Sequence, residues 1–164
     1  MQSNTADLLK KLNVSQRYCA LGLGLLFFFL GIAGFLPGLV SPSPVAAVHE
    51  NVQNLAFFKG YGNLFGLFPT NALHNAVHMI VGLLGIAAAT SFGGSIAYNR
   101  GFAIAYAAIA IMGLLPFSNT TFGLMPIYGN NVWFNALTAL VAAYVGFVQP
   151  EVAKDHLEAP TSST

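Results

Sequence analysis

The side chains able to do chemistry are few, and most fall in one short run. Asn71, His74, Asn75 and His78 stand at i, i+3, i+4 and i+7, which places all four on one face of a helix. Asn131, Asn135 and Thr138 repeat the pattern at i, i+4 and i+7, so a second polar stripe is expected to face the first. Amides, hydroxyls and imidazoles in apolar surroundings bond one another across helices, and a buried titratable row can also pass protons or ions. Two imidazoles one turn apart can share a metal ion, and a single imidazole can ligate haem or chlorophyll. A zinc site, however, takes three or four protein ligands, and no Cys, Asp or Glu lies near the stripe. Only His49 and Glu50, well upstream, could fold over to help, so no metal site is expected.

Catalytic constellations are absent from the sequence. There is no His-Glu-x-x-His, no Gly-x-Ser-x-Gly, no phosphate-cradling Gly-rich Lys motif, and no pair of carboxylates placed to act as acid and base. A non-enzymatic protein is expected. The formal net charge of +1 leaves no basic patch for a phosphate backbone, which excludes nucleic acid as a partner, and the lone Cys19 forms no intrachain disulfide.

The elements that carry the stripes are fixed by composition. Of 164 residues, 55% are hydrophobic and 7% charged, and the mean hydropathy is +0.66; soluble domains carry about 25% charged residues. The chain is uncharged from Tyr18 to His49, from Gly60 to Asn99 and from Gly101 to Pro150. Runs this long and apolar predict transmembrane helices. Four are expected, at about 18–37, 71–91, 100–116 and 131–148. The first is too long for a signal-peptide core and is read as an uncleaved span. Gly93-Gly94-Ser95 is expected to break the second span and Pro150 to stop the fourth. A segment 1–17 and a polar tail 149–164 flank this membrane domain. Lys10, Lys11, Arg17, Arg100 and Lys154 fall on one side and only Lys59 on the other, so both termini are expected to be cytoplasmic. Tyr61, Phe65, Phe68, Tyr128 and Trp133 cluster toward the opposite surface, where amphipathic rings suit the headgroup level.

The chain also reads as an internal repeat. Gly34-Phe35-Leu36-Pro37 closes the first span and Gly113-Leu114-Leu115-Pro116 the third. Phe65-Gly66-Leu67-Phe68-Pro69 leads into the second span and Phe122-Gly123-Leu124-Met125-Pro126 into the fourth. Two tandem helical hairpins in the same orientation, a direct repeat, would follow. Gly22, Gly24, Gly31, Gly34, Gly82 and Gly85 suit close helix approach within the bundle. In the first loop, Val48, Val52, Leu55 and Ala56 have roughly the spacing of a short amphipathic helix.

The runs from Tyr61 to His78 and from Phe122 to Trp133 resemble a prokaryotic family of four-span membrane proteins catalogued as domain of unknown function 4383, frequent in actinobacteria and cyanobacteria. The likeness extends from the first span to about Phe147, and Asn71-Ala72-Leu73-His74-Asn75-Ala76-Val77-His78 is its most specific part. It implies an all-α integral membrane fold in a prokaryotic membrane, plasma or thylakoid, and supplies no activity. In that family Asp often stands at position 131 and His at 135. Both are Asn here, which removes two ligands from the facing stripe. The reading is a small accessory or scaffold subunit that docks on other integral membrane proteins and meets lipid, within a photosynthetic complex if the source is a phototroph. Its alternative is a binder of a flat apolar cofactor, chlorophyll or haem, held at His74 or His78.

Overall fold

The computed structural model describes residues 2–42 and 60–158. Five helices and a small sheet make up this part. α1 spans Gln2–Ala33, α2 Ala72–Ala88, α3 Phe92–Leu114 and α4 Asn130–Ala143; a π-turn at Tyr144–Val148 joins α4 to α5, Gln149–Glu158. Three helical stretches are long and apolar enough to cross a membrane: Thr5–Ala33, Phe92–Leu114 and Asn130–Ala153. Ala72–Ala88 is a shorter apolar helix of 17 residues, about 25 Å long at 1.5 Å per residue. Many of the side chains that point away from the bundle are large and apolar, among them Phe29, Ile80, Leu84, Ile104, Ile111, Leu137 and Leu140. Such a surface suits hydrocarbon and not water.

α1 packs chiefly on α2, and α3 chiefly on α4. The first contact is made through glycine. A Cβ at Gly24 would lie 2.6 Å from the Ile86 nitrogen, one at Gly31 2.7 Å from the Asn75 carbonyl oxygen, and one at Gly85 2.8 Å from the Gly24 Cα. Gly22 is the exception, with open space around it. Between the hairpins lies Phe27, fully buried, with edge contacts to His78, Phe102 and Tyr106 at 4.8–5.1 Å between ring centroids. Leu23, Ala103, Ala139 and Ala142 complete this core.

The sheet was not evident in the sequence. β1 (Val40–Ser41), β2 (Gly62–Leu64) and β3 (Phe68–Thr70) form an antiparallel sheet in that order, with Val40 opposite Leu64 and Gly62 opposite Thr70. Phe65 (φ 53°) and Gly66 (φ 71°) turn the corner between β2 and β3. Thr121 (φ 51°), Phe122 (φ 56°) and Gly123 (φ 90°) make a similar left-handed corner before α4, one residue longer. The bonds match too: Gly66 N–H to Asn63 O and Leu67 N–H to Leu64 O in one, Gly123 N–H to Thr120 O and Leu124 N–H to Thr121 O in the other, all 3.0–3.3 Å. Left-handed Phe costs about 1–2 kcal/mol, so these hydrogen bonds hold a shape the side chain does not favour. Leu36 (φ −89°, ψ 112°) and Leu115 (φ −97°, ψ 122°) are likewise both extended, as a residue before proline must be.

Several boundaries differ from the sequence reading, each for a local reason. α1 begins at Gln2, so most of the segment before Arg17 is already helical. The helices α2 and α3 are separated by Ala89–Ser91, not by Gly93-Gly94-Ser95. Ser91 caps α3 by accepting from the Gly94 N–H at 3.1 Å, which places both glycines in the first turn. Pro150 does not end the helix. The π-turn before it changes the bonding, with the Gln149 N–H reaching Tyr144 O, and the carbonyls left over are taken by side chains: Val145 O accepts from the Gln16 amide, and Gly146 O from Arg100 Nε at 2.8 Å. Gly146 O is the acceptor that a proline at 150 cannot reach. The amphipathic helix expected around Val48 to Lys59, and His49 and Glu50, lie outside the described residues.

Candidate functional site: a histidine pair beneath two asparagine clamps

The seven stripe residues are all buried, none more than 9% exposed. They divide by what they bond. Asn71 caps α2, its Oδ1 accepting from the His74 N–H at 2.8 Å, and its Nδ2 donates to Leu124 O at 2.8 Å in the other hairpin. Asn130 answers from α4, donating to Leu67 O at 3.1 Å. Leu67 and Leu124 occupy the same place in the two Phe-Gly-Leu corners, so each second helix holds the corner of the other hairpin. Asn131 donates to Pro69 O at 2.8 Å and Pro126 O at 3.2 Å, tying both corners together. Asn75 works within the first hairpin, where its Nδ2 donates to Gly34 O at 2.6 Å and its Oδ1 accepts from Thr70 Oγ1 at 2.5 Å.

Further along the stripe of α4 the pattern changes. Thr138 bonds its own helix, at Phe134 O (2.9 Å) and Asn135 O (3.1 Å). Asn135 is buried beside it. The two stripes therefore meet at the N-terminal ends of α2 and α4, whereas further along Phe27 stands between His78 and Phe134.

His74 and His78 form a pair. Their Nε2 atoms lie 3.0 Å apart, with ring centroids at 4.3 Å and planes crossed at 78°. They border a cavity of about 20 Å³ whose wall also includes Thr70, Pro69, Leu64, Phe68 and Asn131. That volume holds one water-sized species. His74 Nδ1 is buried with no partner of good hydrogen-bond geometry, and the Pro126 carbonyl is the backbone acceptor beside the ring. Among the described residues no cluster of three or more His, Cys, Asp or Glu is grouped as a metal site would group them.

The profile of one family matches residues 17–148, most of the chain. The protein belongs to the family described as domain of unknown function 4383. No curated protein and no solved structure matches it. In this member of the 4383 family the matched region takes in both stripes, both Phe-Gly corners and the π-turn.

Several of the bonds that fix the site and the bundle ends are not evident in the sequence. Thr70 is the partner that fixes Asn75. Tyr61 and Tyr128 join the two loops hydroxyl to hydroxyl at 2.7 Å, and burial with this bond pushes the Tyr128 phenol up from its usual range. At the other end of the bundle Gln16 and Asn99 are fully buried, Asn99 donating to Gln16 O at 3.0 Å and Gln16 Oε1 at 2.9 Å. Asn99 carries a readable signal, being an amide beside Arg100 where two long uncharged runs meet.

Proposed function

We propose that the protein is a four-span integral membrane protein of a prokaryotic membrane, with both termini cytoplasmic, that serves as a small non-enzymatic accessory or scaffold subunit of a larger membrane complex. Ala72–Ala88, at 17 residues, is at the short end of what spans a bilayer, and α1 lies against it along its length. Arg17 Nε donates to Ala89 O at 2.8 Å and Arg100 Nε to Gly146 O, so each hairpin carries an Arg at the carbonyl end of its second helix, on the side assigned to the cytoplasm. The matched corners, the matched Leu-Pro ends and the reciprocal Asn bonds support a tandem duplication.

The observation that carries the subunit reading is the destination of the polar groups. The stripe amides of Asn71, Asn75 and Asn131 bond inside the bundle, and the glycines of α1 and α2 are used in packing those helices on each other. What the outside offers is apolar. Between α3 and α4 runs a trough of about 330 Å³ floored by Ala103, Ala107, Ala110, Ala136, Ala139 and Ala143. Small residues of this kind let another helix approach closely. Haem or chlorophyll at His74 or His78 would require the bundle to part, because both rings are buried beside a cavity of about 20 Å³.

The test is purification of the tagged protein from its own membranes in mild detergent, with mass spectrometry and visible absorbance of what accompanies it. Stoichiometric integral membrane subunits, lost when Ala136→Phe fills the trough, are expected. A lone protein, or one carrying a pigment or haem band that disappears in His74→Ala, would overturn the reading.

A further inference from the structure

The two loop corners are built in a way that an aqueous loop does not require. No Asp, Glu, Lys or Arg stands between Gly60 and Asn99 or between Gly101 and Pro150, so both corners are uncharged. At their tips Phe65, Leu67, Phe122 and Leu124 are exposed, Phe122 at 71%. Phe65 and Phe122 are held there on left-handed backbone, which phenylalanine disfavours and glycine adopts freely. Water offers nothing that would hold a phenyl ring in such a place, whereas an apolar medium does.

We propose that both Phe-Gly-Leu corners lie in the headgroup–acyl boundary of the non-cytoplasmic leaflet, with Phe65, Leu67, Phe122 and Leu124 against phospholipid chains. The inference rests on the four-span reading, and α2 gives the depth. Arg17 Nε, which donates to Ala89 O, marks the charged surface at one end of this helix. The 17 residues of α2 cover about 25 Å. A hydrocarbon layer of about 30 Å then extends about 5 Å past Ala72, and the residues that cross it, Pro69, Thr70 and Asn71, are all buried. The corner falls just beyond, in the zone where aromatic rings settle.

Backbone that is not helical is tolerated near the hydrocarbon only where protein covers it and its polar groups are bonded. Carbonyls facing water would need no such partners. In the second loop Asn119 O, Thr120 O, Thr121 O, Leu124 O, Met125 O and Pro126 O each accept a hydrogen bond. Asn71, Asn130 and Asn131 supply the donors to Leu124 O, Leu67 O, Pro69 O and Pro126 O, so the amides that cross between hairpins replace the water a leaflet lacks. From the tips the exposed apolar surface runs on to Phe117, Leu114 and Trp133, at the ends of α3 and α4 that flank the second loop, and so into the apolar outer sides of those helices. That continuity favours the leaflet over a separate protein, whose interface would carry a polar rim.

The experiment reconstitutes the full chain in vesicles of phosphatidylcholine and phosphatidylglycerol. In a Trp133→Phe background, which removes the chain's one tryptophan, Phe122→Trp, Leu67→Trp and Ile80→Trp are introduced singly as depth probes; Ile80 is exposed and lies midway along α2. Quenching by lipids brominated near the headgroup end or near the methyl end of their chains is compared with quenching by iodide on both sides of the membrane. Phe122→Trp and Leu67→Trp are expected to lose at least about half their emission to shallow bromines, less to deep ones and little to iodide, and Ile80→Trp to respond most to deep bromines. Leu67 is not left-handed, so its variant decides the matter should Phe122→Trp not fold. Strong iodide quenching of either folded corner probe without bromine quenching, as water would give, or protection from both quenchers, as a second copy or another protein would give, would overturn the proposal and leave the spans intact. An Ile80→Trp indole untouched by bromines would overturn the span assigned to α2, and with it the depth of the corners.

Discussion

Replacement of Gly34 by alanine should act entirely through Asn75. A Cβ built on Gly34 lies 2.5 Å from Asn75 Nδ2 and closer still to Oδ1 and Cγ, and these are its three nearest neighbours. The new methyl must expel the amide, and with it go the bonds to Gly34 O (2.6 Å) and from Thr70 Oγ1 (2.5 Å). Side-chain hydrogen bonds inside membrane bundles average about 0.6 kcal/mol by double-mutant cycles, whereas stranding a buried partner costs about 1–3 kcal/mol. Two bonds lost together give about 2–3 kcal/mol. Asn75→Ala removes the same two bonds and should cost a similar amount. Once the amide is gone, however, the Gly34 methyl enters the space it left, so Gly34→Ala in the Asn75→Ala background should be neutral to within about 0.5 kcal/mol. The coupling between the two substitutions is then about 2 kcal/mol. Reversible unfolding of the four proteins in mild detergent, followed by circular dichroism, measures it. Additive losses, with coupling under about 0.5 kcal/mol, would show that Asn75 does not clamp the end of α1.

The glycines of α1 should divide sharply. Gly24→Ala, whose methyl would meet the Ile86 nitrogen at 2.6 Å, should destabilise by about 1–3 kcal/mol, and Gly22→Ala, with open space around it, should stabilise by up to about 1 kcal/mol; thermal unfolding in detergent separates them. Arg100→Gln removes the donor to Gly146 O and the cation over the Phe147 ring at 5.2 Å, and should cost about 1–2 kcal/mol. In a Pro150→Ala background, where a backbone N–H becomes available, the same change should cost less than half as much; an equal loss in both backgrounds would refute the account of the π-turn.

Much of the architecture is written in composition and period. The apolar runs predict helices where α1 to α4 stand, and the i, i+3, i+4, i+7 spacing brings Asn71, His74, Asn75 and His78 to one buried face. What local pattern does not carry is compensation from far along the chain. Pro150 reads as a stop because a proline lacks the amide that continues a helix, and only Gln16 and Arg100, 129 and 46 residues away from the carbonyls they bind, make the continuation possible. The left-handed Phe65 and Phe122 are similar: nothing in phenylalanine announces that conformation, and the turn bonds around it exist only once Asn63 and Thr120 are placed. Ser91 was the more readable signal, a hydroxyl three residues ahead of the amide it caps.

The two halves of the bundle also offer an argument about the histidines. With α4 set beside α2, Asn71 and Asn75 fall on Asn131 and Asn135, while His74 and His78 fall on Phe134 and Thr138. The amide positions are the same in both halves, and at 71 and 131 they do the same work, bonding the other hairpin's corner or its proline carbonyl. The positions between them differ in kind. Phe134 packs on Phe27 and Phe68, and Thr138 bonds its own helix, so the second half closes at these places without a titratable group. Helix packing alone is thus met by an aromatic ring and a hydroxyl. His74 and His78 meet the same packing problem with an imidazole pair whose Nε2 atoms bond each other at 3.0 Å, so the first half closes on a polar contact where the second closes on a ring and a hydroxyl.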